Sequence, residues 1–109
     1  MRGSWFSLAG GDAIRTLRQY FADTVFVGVN GINPEFGLTC FNADEAALNA
    51  VMIEQAKRRI VVADHDKLSA VATHRICPVE VINVLITDSG ASEEETAPYA
   101  ERGIDVRRV

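Results

Sequence analysis

The segment TVFVGV, residues 24–29, decides the fold class, because it is a short, nearly continuous apolar run rich in β-branched side chains. Such a run is typical of a strand that is covered on both faces, as the strands of parallel sheets are. It stops abruptly at Asn30 and Gly31, a pair that favours turns. The sequence therefore predicts a buried strand that ends in a polar loop.

Two later segments repeat this arrangement of an apolar run followed by polar residues. The run IVVA, residues 60–63, is followed by DHDK, residues 64–67, and the run VINVLIT, residues 81–87, is followed by DSG, residues 88–90. Both runs are predicted to be buried strands. A last segment, residues 104–109, alternates between apolar and polar side chains and indicates a strand at an edge of the sheet.

Amphipathic segments separate these strands. The first begins at Asp12 and places four side chains at helical spacing on one face: Ile14, Leu17, Tyr20 and Phe21. The second begins at Asn42, with Glu45 three residues later as in a capping box. Its buried stripe is predicted to contain Leu48, Val51, Met52 and Ala56. Residues 57–59, which are Lys-Arg-Arg, are predicted to close its last turn, where positive charge suits the helix dipole.

The third helical segment has two possible starts. Ser92 and Glu95 form another capping-box pattern, which places the start of the helix at residue 92. Pro98 would then lie inside the helix and remove a backbone hydrogen bond, so a short helix that starts near Ala97 is the alternative. Gly103 is the natural C-terminal stop in either case.

Strands that alternate with helices predict an α/β fold, a parallel sheet with flanking helices connected by right-handed crossovers. Residues 30–41 are predicted to be irregular, and residues 68–78 are predicted to be mixed and to contain a short helix or loop. Ligands of parallel sheets bind beyond the carboxyl ends of the strands. The loops that start at Asn30, Asp64 and Asp88 are therefore expected to gather along one edge of the sheet.

Four residues of these loops could contact a ligand. Asn30 could offer its side-chain amide, and Gly31 its backbone N–H, to a hydroxyl or phosphate group. Lys67 could hold a phosphate as a point charge, and Asp64 could accept hydrogen bonds from sugar hydroxyls. The alternative is structural: Asn30 and Gly31 would form an ordinary turn, Asp64 would cap a turn, and Lys67 would be solvated.

Composition argues against several classes of function. The 109 residues carry a net charge of −4 and have a pI of about 5.1, so the chain lacks the basic surface that nucleic-acid binding requires. Cys40 and Cys77 lack metal-ligand spacing and are expected to be buried thiols in a reducing cytoplasm. His65 is expected to be an exposed loop residue. We expect no metal site, no cofactor and no contact with a membrane.

Five runs, taken in order, carry a family resemblance: ADTVFVGVNGINPEFGLT (22–39), NADEAALNAVM (42–52), IVVADHDKL (60–68), INVLITDSG (82–90) and GIDV (103–106). This ordered set resembles the C-terminal sensor domain of the DeoR family of bacterial transcriptional repressors. The resemblance extends over almost all of residues 11–109, which are expected to form a partial effector-binding domain. Residues 1–10 are expected to be a leader or irregular segment.

The resemblance implies an incomplete sugar-phosphate isomerase-like, or Rossmann-like, fold. It also implies a cytoplasmic homo-oligomer that senses a phosphorylated sugar or polyol. Operator DNA would be bound only through a separate N-terminal winged helix-turn-helix, which these residues do not include. Carried over to this sequence, the ligand-facing residues are Asn30, Gly31, Asp64 and Lys67, with Gly37 shaping the loop.

The sequence departs from the family pattern in one residue of that loop and in one longer element. Asp66 stands where many relatives have a small hydroxyl residue, so it places a negative charge beside any bound phosphate. The family's first sensor strand and its phosphate-binding loop are also missing from these residues.

Two further functions are open at this stage. One is a sugar-phosphate isomerase or deaminase on the same fold, although Asn30 stands where the isomerases carry acidic residues, and an amide cannot take a proton at neutral pH. The other is an oligomerisation fragment without ligand binding, because an incomplete parallel sheet exposes an apolar edge or face.

Overall fold

The computed structural model describes residues 19–109, so the predicted segment 1–10 and most of the helix predicted from Asp12 lie outside the described residues. Tyr20 and Phe21, which the helical pattern placed on a buried face, have exposed side chains just before the first strand. Their predicted burial is wrong, because residues 20 and 21 are not helical and lead directly into β1. The described residues contain no helix that is both long and apolar enough to cross a membrane.

The described elements follow one another as β1 (Ala22–Gly28), β2 (Gly31–Asn33), β3 (Gly37–Cys40), α1 (Ala43–Glu54), β4 (Ala56–Val62), β5 (His74–Cys77), β6 (Val84–Thr87), α2 (Glu93–Ala100) and β7 (Asp105–Arg108). Four of these strands form a parallel sheet in the order β1-β4-β6-β7. The predicted α/β fold with a parallel sheet and flanking helices is confirmed. Strand β7 lies at an edge, as its alternating pattern indicated.

The remaining strands form a second sheet, which is antiparallel and has the order β2-β3-β5. The prediction that residues 30–41 are irregular is therefore wrong. Residues 69–73 form the predicted loop, but the same segment also contains β5, which the sequence did not indicate. Strands of three or four residues are too short to show a clear period in the sequence. They are stabilised by pairing with partners far away in the chain rather than by local preference.

Helix α1 begins where the sequence predicts. The side chain of Asn42 accepts a hydrogen bond from the N–H of Glu45 at 2.9 Å, which caps the first turn. Its buried face differs slightly from the prediction and consists of Ala46, Leu48, Val51 and Ile53.

The C-terminal end of α1 differs from the prediction. The helix ends at Glu54, and residues 57–59 belong to β4, so they do not close its last turn. This segment is extended because it pairs with β1, and because the side chain of Asn83 accepts a hydrogen bond from the N–H of Arg59 at 2.7 Å. From β4, Arg59 Nε still donates to the carbonyl of Ile53 at 2.8 Å. Arg59 thus satisfies a backbone carbonyl at the C-terminal end of the helix, although it lies in the following strand.

Helix α2 starts at its capping box and tolerates its proline. Ser92 and Glu95 exchange both hydrogen bonds of the box, at 3.1 and 2.8 Å, so the early start is correct and Pro98 lies inside the helix. Gly103 has a φ of +86° and ends the helix, with the N–H of Ile104 donating to the carbonyl of Tyr99. This is the expected glycine stop.

The core lies between the parallel sheet, the two helices and the small sheet. Leu85 on β6 is fully buried, and Val61 on β4 and Val27 on β1 pack in the same cluster. Among residues 19–109, strand β1 is covered on one face only, and Phe26 on its other face is 64% exposed, so these residues do not provide the predicted burial on both faces. Strand β6 begins only at Val84, later than predicted, because a 3₁₀ turn precedes it.

Candidate functional site

The loops after β1, β4 and β6 leave the sheet at its carboxyl edge. Gly28 pairs with Val62, and Val62 pairs with Ile86, so these adjacent parallel strands end at nearly the same level. We call residues 64–70 the Lys67 loop. It follows β4, the strand between the other two, and begins with the 3₁₀ turn His65–Lys67. The loops that the sequence placed on one edge therefore share that edge.

A paired histidine and aspartate join the Lys67 loop to the loop after β6. His65 Nδ1 lies 2.8 Å from Asp88 Oδ1, and the backbone N–H of His65 donates to Asp88 Oδ2 at 3.0 Å. Asp88 Oδ1 also accepts the N–H of Gly90 at 2.8 Å. On its other side, His65 Nε2 lies 3.1 Å from Asp66 Oδ1. The imidazole thus sits between two carboxylates.

These contacts shift both pKa values in the directions that stabilise the ion pair. The hydrogen bond to Asp88 raises the pKa of His65, and the charge of the same carboxylate adds to the effect. The N–H of His65 lowers the pKa of Asp88, with further help from its ring and from the N–H of Gly90. Both side chains are open to solvent, which limits the strength of the pair.

On its other side, the Lys67 loop is tied to β2. Leu68 forms an isolated parallel bridge with Ile32, and the N–H of Ser69 donates to the carbonyl of Ile32 at 2.6 Å. Asn33 Nδ2 donates to the carbonyl of Ser69 at 3.3 Å. Ser69 has a φ of +80°, a left-handed conformation that few residues other than glycine adopt. Such strained positions are frequent at binding sites.

The sequence profile of the family described as "DeoR C terminal sensor domain" matches residues 1–89. The chain belongs to the DeoR C-terminal sensor domain family. The matched region includes the strands β1, β4 and β6 and ends just after Asp88, whereas α2 and β7 lie beyond it.

Curated relatives of this DeoR sensor domain are transcriptional regulators. The putative aga operon transcriptional repressor of Escherichia coli O157:H7 is 35% identical over 100 residues, which are 92% of this chain and 37% of that protein. The repressor GlcR of Bacillus subtilis is 36% identical over 81 residues, 74% of this chain and 31% of that protein. The deoxyribose operon repressor of Escherichia coli K12 is 27% identical over 90 residues, 83% of this chain and 35% of that protein. The chain thus spans about a third of the length of these relatives.

In this DeoR sensor domain, Asn30 combines a structural contact with unused donors. Its N–H donates to the carbonyl of Thr39 at 3.0 Å, and its Oδ1 accepts the N–H of Phe41 at 3.1 Å. These bonds hold the loop in front of α1. Within residues 19–109, the side-chain NH₂ group of Asn30 makes no hydrogen bond, so it could donate to a ligand.

The two predicted glycines have packing reasons of their own. A Cβ on Gly31 would lie 2.5 Å from the carbonyl oxygen of Ala70, and a Cβ on Gly37 would overlap the carbonyl oxygen of Cys77. Gly37 also has a φ of +83°. Gly31 lies beside the Lys67 loop, whereas Gly37 lies at the turn between β2 and β3 and contacts β5. Their part in ligand binding stays a prediction.

Asp64 and Lys67 are placed at the start and end of the 3₁₀ turn. The carbonyl of Asp64 accepts the N–H of Lys67 at 2.9 Å, but its exposed carboxylate makes no capping hydrogen bond. The alternative prediction, that the Asp64 side chain caps a turn, is therefore wrong. Lys67 is half-buried, and no acidic side chain pairs with its ammonium group within the part of the chain that the structure describes.

Sequence reasoning missed four residues that shape this site. His65 is more than an exposed loop residue, because it binds Asp88, and Ser69 and Tyr99 both bind the Ile32 carbonyl. An aspartate that ends a strand before Ser-Gly signals a turn, so Asp88 could have been found. Nothing local marks the other three. Among residues 19–109, no group of three or more His, Cys, Asp or Glu could hold a metal ion.

Proposed function

We propose that residues 11–109 form part of the effector-binding domain of a DeoR-type transcriptional regulator, and that the effector is a phosphorylated sugar or polyol. One observation carries this proposal. Lys67 lies at the carboxyl edge of the sheet, half-buried and without an acidic partner in the described residues, in a loop fixed on both sides. A cation held in this way is suited to an anionic ligand group.

The site would recognise the phosphate of such a molecule by charge and its hydroxyl groups by hydrogen bonds. Lys67 would bind the phosphate. The side-chain N–H groups of Asn30, which make no hydrogen bond to the described part of the chain, would donate to phosphate or hydroxyl oxygens. The carboxylate of Asp64, which has no partner within residues 19–109, would accept hydrogen bonds from sugar hydroxyls. A free sugar lacks the group that Lys67 recognises, so the site would favour the phosphorylated form.

The regulatory part of the proposal rests on the relatives. Three of them are named as repressors, two of these for the aga and deoxyribose operons. We propose that this chain controls operator binding by a DNA-binding domain outside these 109 residues, as a cytoplasmic homo-oligomer. The net charge of −4 supports the assignment of operator binding to another domain, because contact with DNA needs a basic surface.

We also propose that the domain is not an enzyme. The isomerase reaction removes a proton from carbon and needs a base at the substrate. Asn30, two residues after the end of β1, is an amide and cannot serve as that base. Assays with pentose and amino-sugar phosphates should show no turnover above the uncatalysed rate, and measurable turnover would contradict this part of the proposal.

The experiment is a thermal-shift screen with inorganic phosphate, pentose phosphates, hexose phosphates and glycerol phosphate, each organic phosphate beside its unphosphorylated form. A compound that binds only the folded state raises the melting temperature; at a hundredfold excess over Kd it stabilises the protein by about 2.7 kcal/mol. We expect at least one organic phosphate to act in this way and its free sugar or polyol to have no effect.

The two lysines of the chain give a matched pair of variants, because Lys57 lies near the amino end of β4 and Lys67 lies in the turn beyond its carboxyl end. Loss of a charged hydrogen bond should raise the Kd of Lys67→Ala by about 10- to 100-fold. Lys57→Ala, at the amino end of the strand, should bind as the wild type does. Equal losses in the two variants, or no shift with any phosphate, would contradict the proposed function.

A further inference from the structure

The carbonyl oxygen of Ile32 is a junction between three parts of the chain. It accepts the N–H of Ser69 from the Lys67 loop at 2.6 Å and the hydroxyl of Tyr99 from α2 at 3.0 Å. Tyr99 and Ile32 are both fully buried. The two donors use both lone pairs of the carbonyl, so its direction is fixed from two sides.

Tyr99 is a dependable donor to this junction. Burial raises the pKa of its hydroxyl above the ordinary value, although the neighbouring Ser69 opposes the shift. The hydroxyl therefore keeps its proton at neutral pH. A phenol is also rigid, so α2 holds the hydroxyl in place through the packed ring.

The Lys67 loop is thus clamped at two points. His65 and Asp88 hold its beginning, and Ile32 holds its end through Leu68 and Ser69. The cationic residue lies between the two clamps, two positions before Ser69. The left-handed φ of Ser69 is unfavourable by itself and persists because the surrounding hydrogen bonds hold it. Release of the second clamp would let this backbone relax and move the lysine.

We propose that Tyr99 is a positioning residue for the effector site: its hydroxyl, acting through the Ile32 carbonyl and Ser69, holds the Lys67 loop in the conformation that binds the phosphate group. This inference rests on the proposed function and deepens it. It assigns a role in binding to α2, which lies beyond the residues that the family profile matches.

The substitution Tyr99→Phe tests the role of the hydroxyl alone. The ring still fills its place in the core, and the Ile32 carbonyl keeps the N–H of Ser69, so no buried polar group loses its last partner. We expect the Kd of the sugar phosphate that gives the largest thermal shift to rise about threefold to tenfold. Tyr20→Phe, which changes the other tyrosine of the chain, should leave that Kd unchanged because Tyr20 is exposed.

A double-mutant cycle separates positioning from a general loss of stability. If Tyr99 acts through Lys67, Tyr99→Phe should weaken binding in the wild type but have almost no further effect in Lys67→Ala. Amide hydrogen exchange gives a second readout. The N–H of Ser69 should exchange faster in Tyr99→Phe, and it should exchange more slowly in the wild type when the same sugar phosphate is saturating.

The outcomes distinguish the two proposals. If the sugar phosphate binds the wild type through Lys67 but binds Tyr99→Phe equally well, this inference is overturned and the proposed function stands. Additive losses in the cycle, or unchanged exchange of the Ser69 amide in the saturated wild type, also overturn it. If no phosphate in the panel binds the wild type, the proposed function fails and this inference fails with it.

Discussion

His65 Nδ1 lies 2.8 Å from Asp88 Oδ1, and this contact connects the ends of two neighbouring strands, β4 and β6. The backbone strengthens the connection, because the N–H of His65 donates to the second oxygen of the same carboxylate at 3.0 Å. One aspartate therefore holds both the ring and the backbone at the start of the Lys67 loop. The relationship has a direct consequence for the response of the site to pH.

The ion pair should be strongest between the two shifted pKa values. The pKa of His65 is raised above 6.5, so its stabilising contribution is complete below pH 6.5 and is lost as the pH rises through the folded-state pKa. The pKa of Asp88 is lowered below 3.8, so its contribution is present above that pH and is lost as the pH falls through its folded-state pKa. NMR titration should show a lower His65 pKa in Asp88→Asn. An equal His65 pKa in both proteins would contradict the assignment.

Asp66 should weaken the binding of a phosphorylated effector. It is adjacent to Lys67, and its carboxylate contacts His65 Nε2 but stays 71% exposed. Asp66→Asn should lower the Kd of a sugar phosphate by about twofold to fivefold, the scale of exposed charge interactions, and the gain should shrink at high salt. Calorimetric titration at two salt concentrations measures this. Asp23→Asn, at the amino end of β1, is the control, and an equal gain there would show that only net charge matters.

Gly37 should tolerate no side chain. Its φ is +83°, and a Cβ would overlap the carbonyl oxygen of Cys77, which is backbone and cannot rotate away. We expect Gly37→Ala to lower the free energy of unfolding by about 2–4 kcal/mol, measured by urea denaturation. Gly28→Ala should change it by less than about 0.5 kcal/mol, because among the described residues no atom beyond the chain neighbours of Gly28 lies within 4 Å of the added carbon. Similar values for the two variants would show that the turn can move.

The capping box of α2 should make a measurable contribution to stability. The Ser92 hydroxyl accepts the N–H of Glu95 at 3.1 Å, and alanine cannot replace this bond. Ser92→Ala should lower the free energy of unfolding by about 1 kcal/mol in the same urea experiment. Ser89→Ala changes an exposed serine in the preceding loop and should have no effect. If both serines behave alike, the cap is not formed in solution.

Features that depend on a few neighbouring residues could be predicted from the sequence. Asn42 caps α1 and Ser92 caps α2, as predicted. A cap can be recognised from the sequence because it joins residues three positions apart and needs particular side-chain types. The apolar runs at β1, β4 and β6 are long enough to be recognised, and their order gives the parallel sheet. The edge at which the loops gather follows from that topology.

Features that depend on distant partners could not be predicted. Residues 57–59 look like the basic end of a helix, but pairing with β1 extends them into a strand. The small sheet consists of strands that become stable only when β3 meets β5, more than thirty residues later in the chain. Ser69 has no local reason for a positive φ, and Tyr99 reads as an ordinary helix residue until its bond to Ile32 is seen.

The bond between Tyr99 and Ile32 spans 67 positions of sequence, which has a consequence for how the domain folds. Each neighbouring pair in the parallel sheet also joins segments separated by a crossover. Chains dominated by such distant pairings must close long loops before they gain contacts, and they fold on the order of milliseconds to seconds rather than microseconds. On the ribosome, β1 and β2 emerge long before α2, so the Ile32 carbonyl acquires its second donor only late in synthesis. The binding loop would therefore be among the last parts of the domain to become ordered.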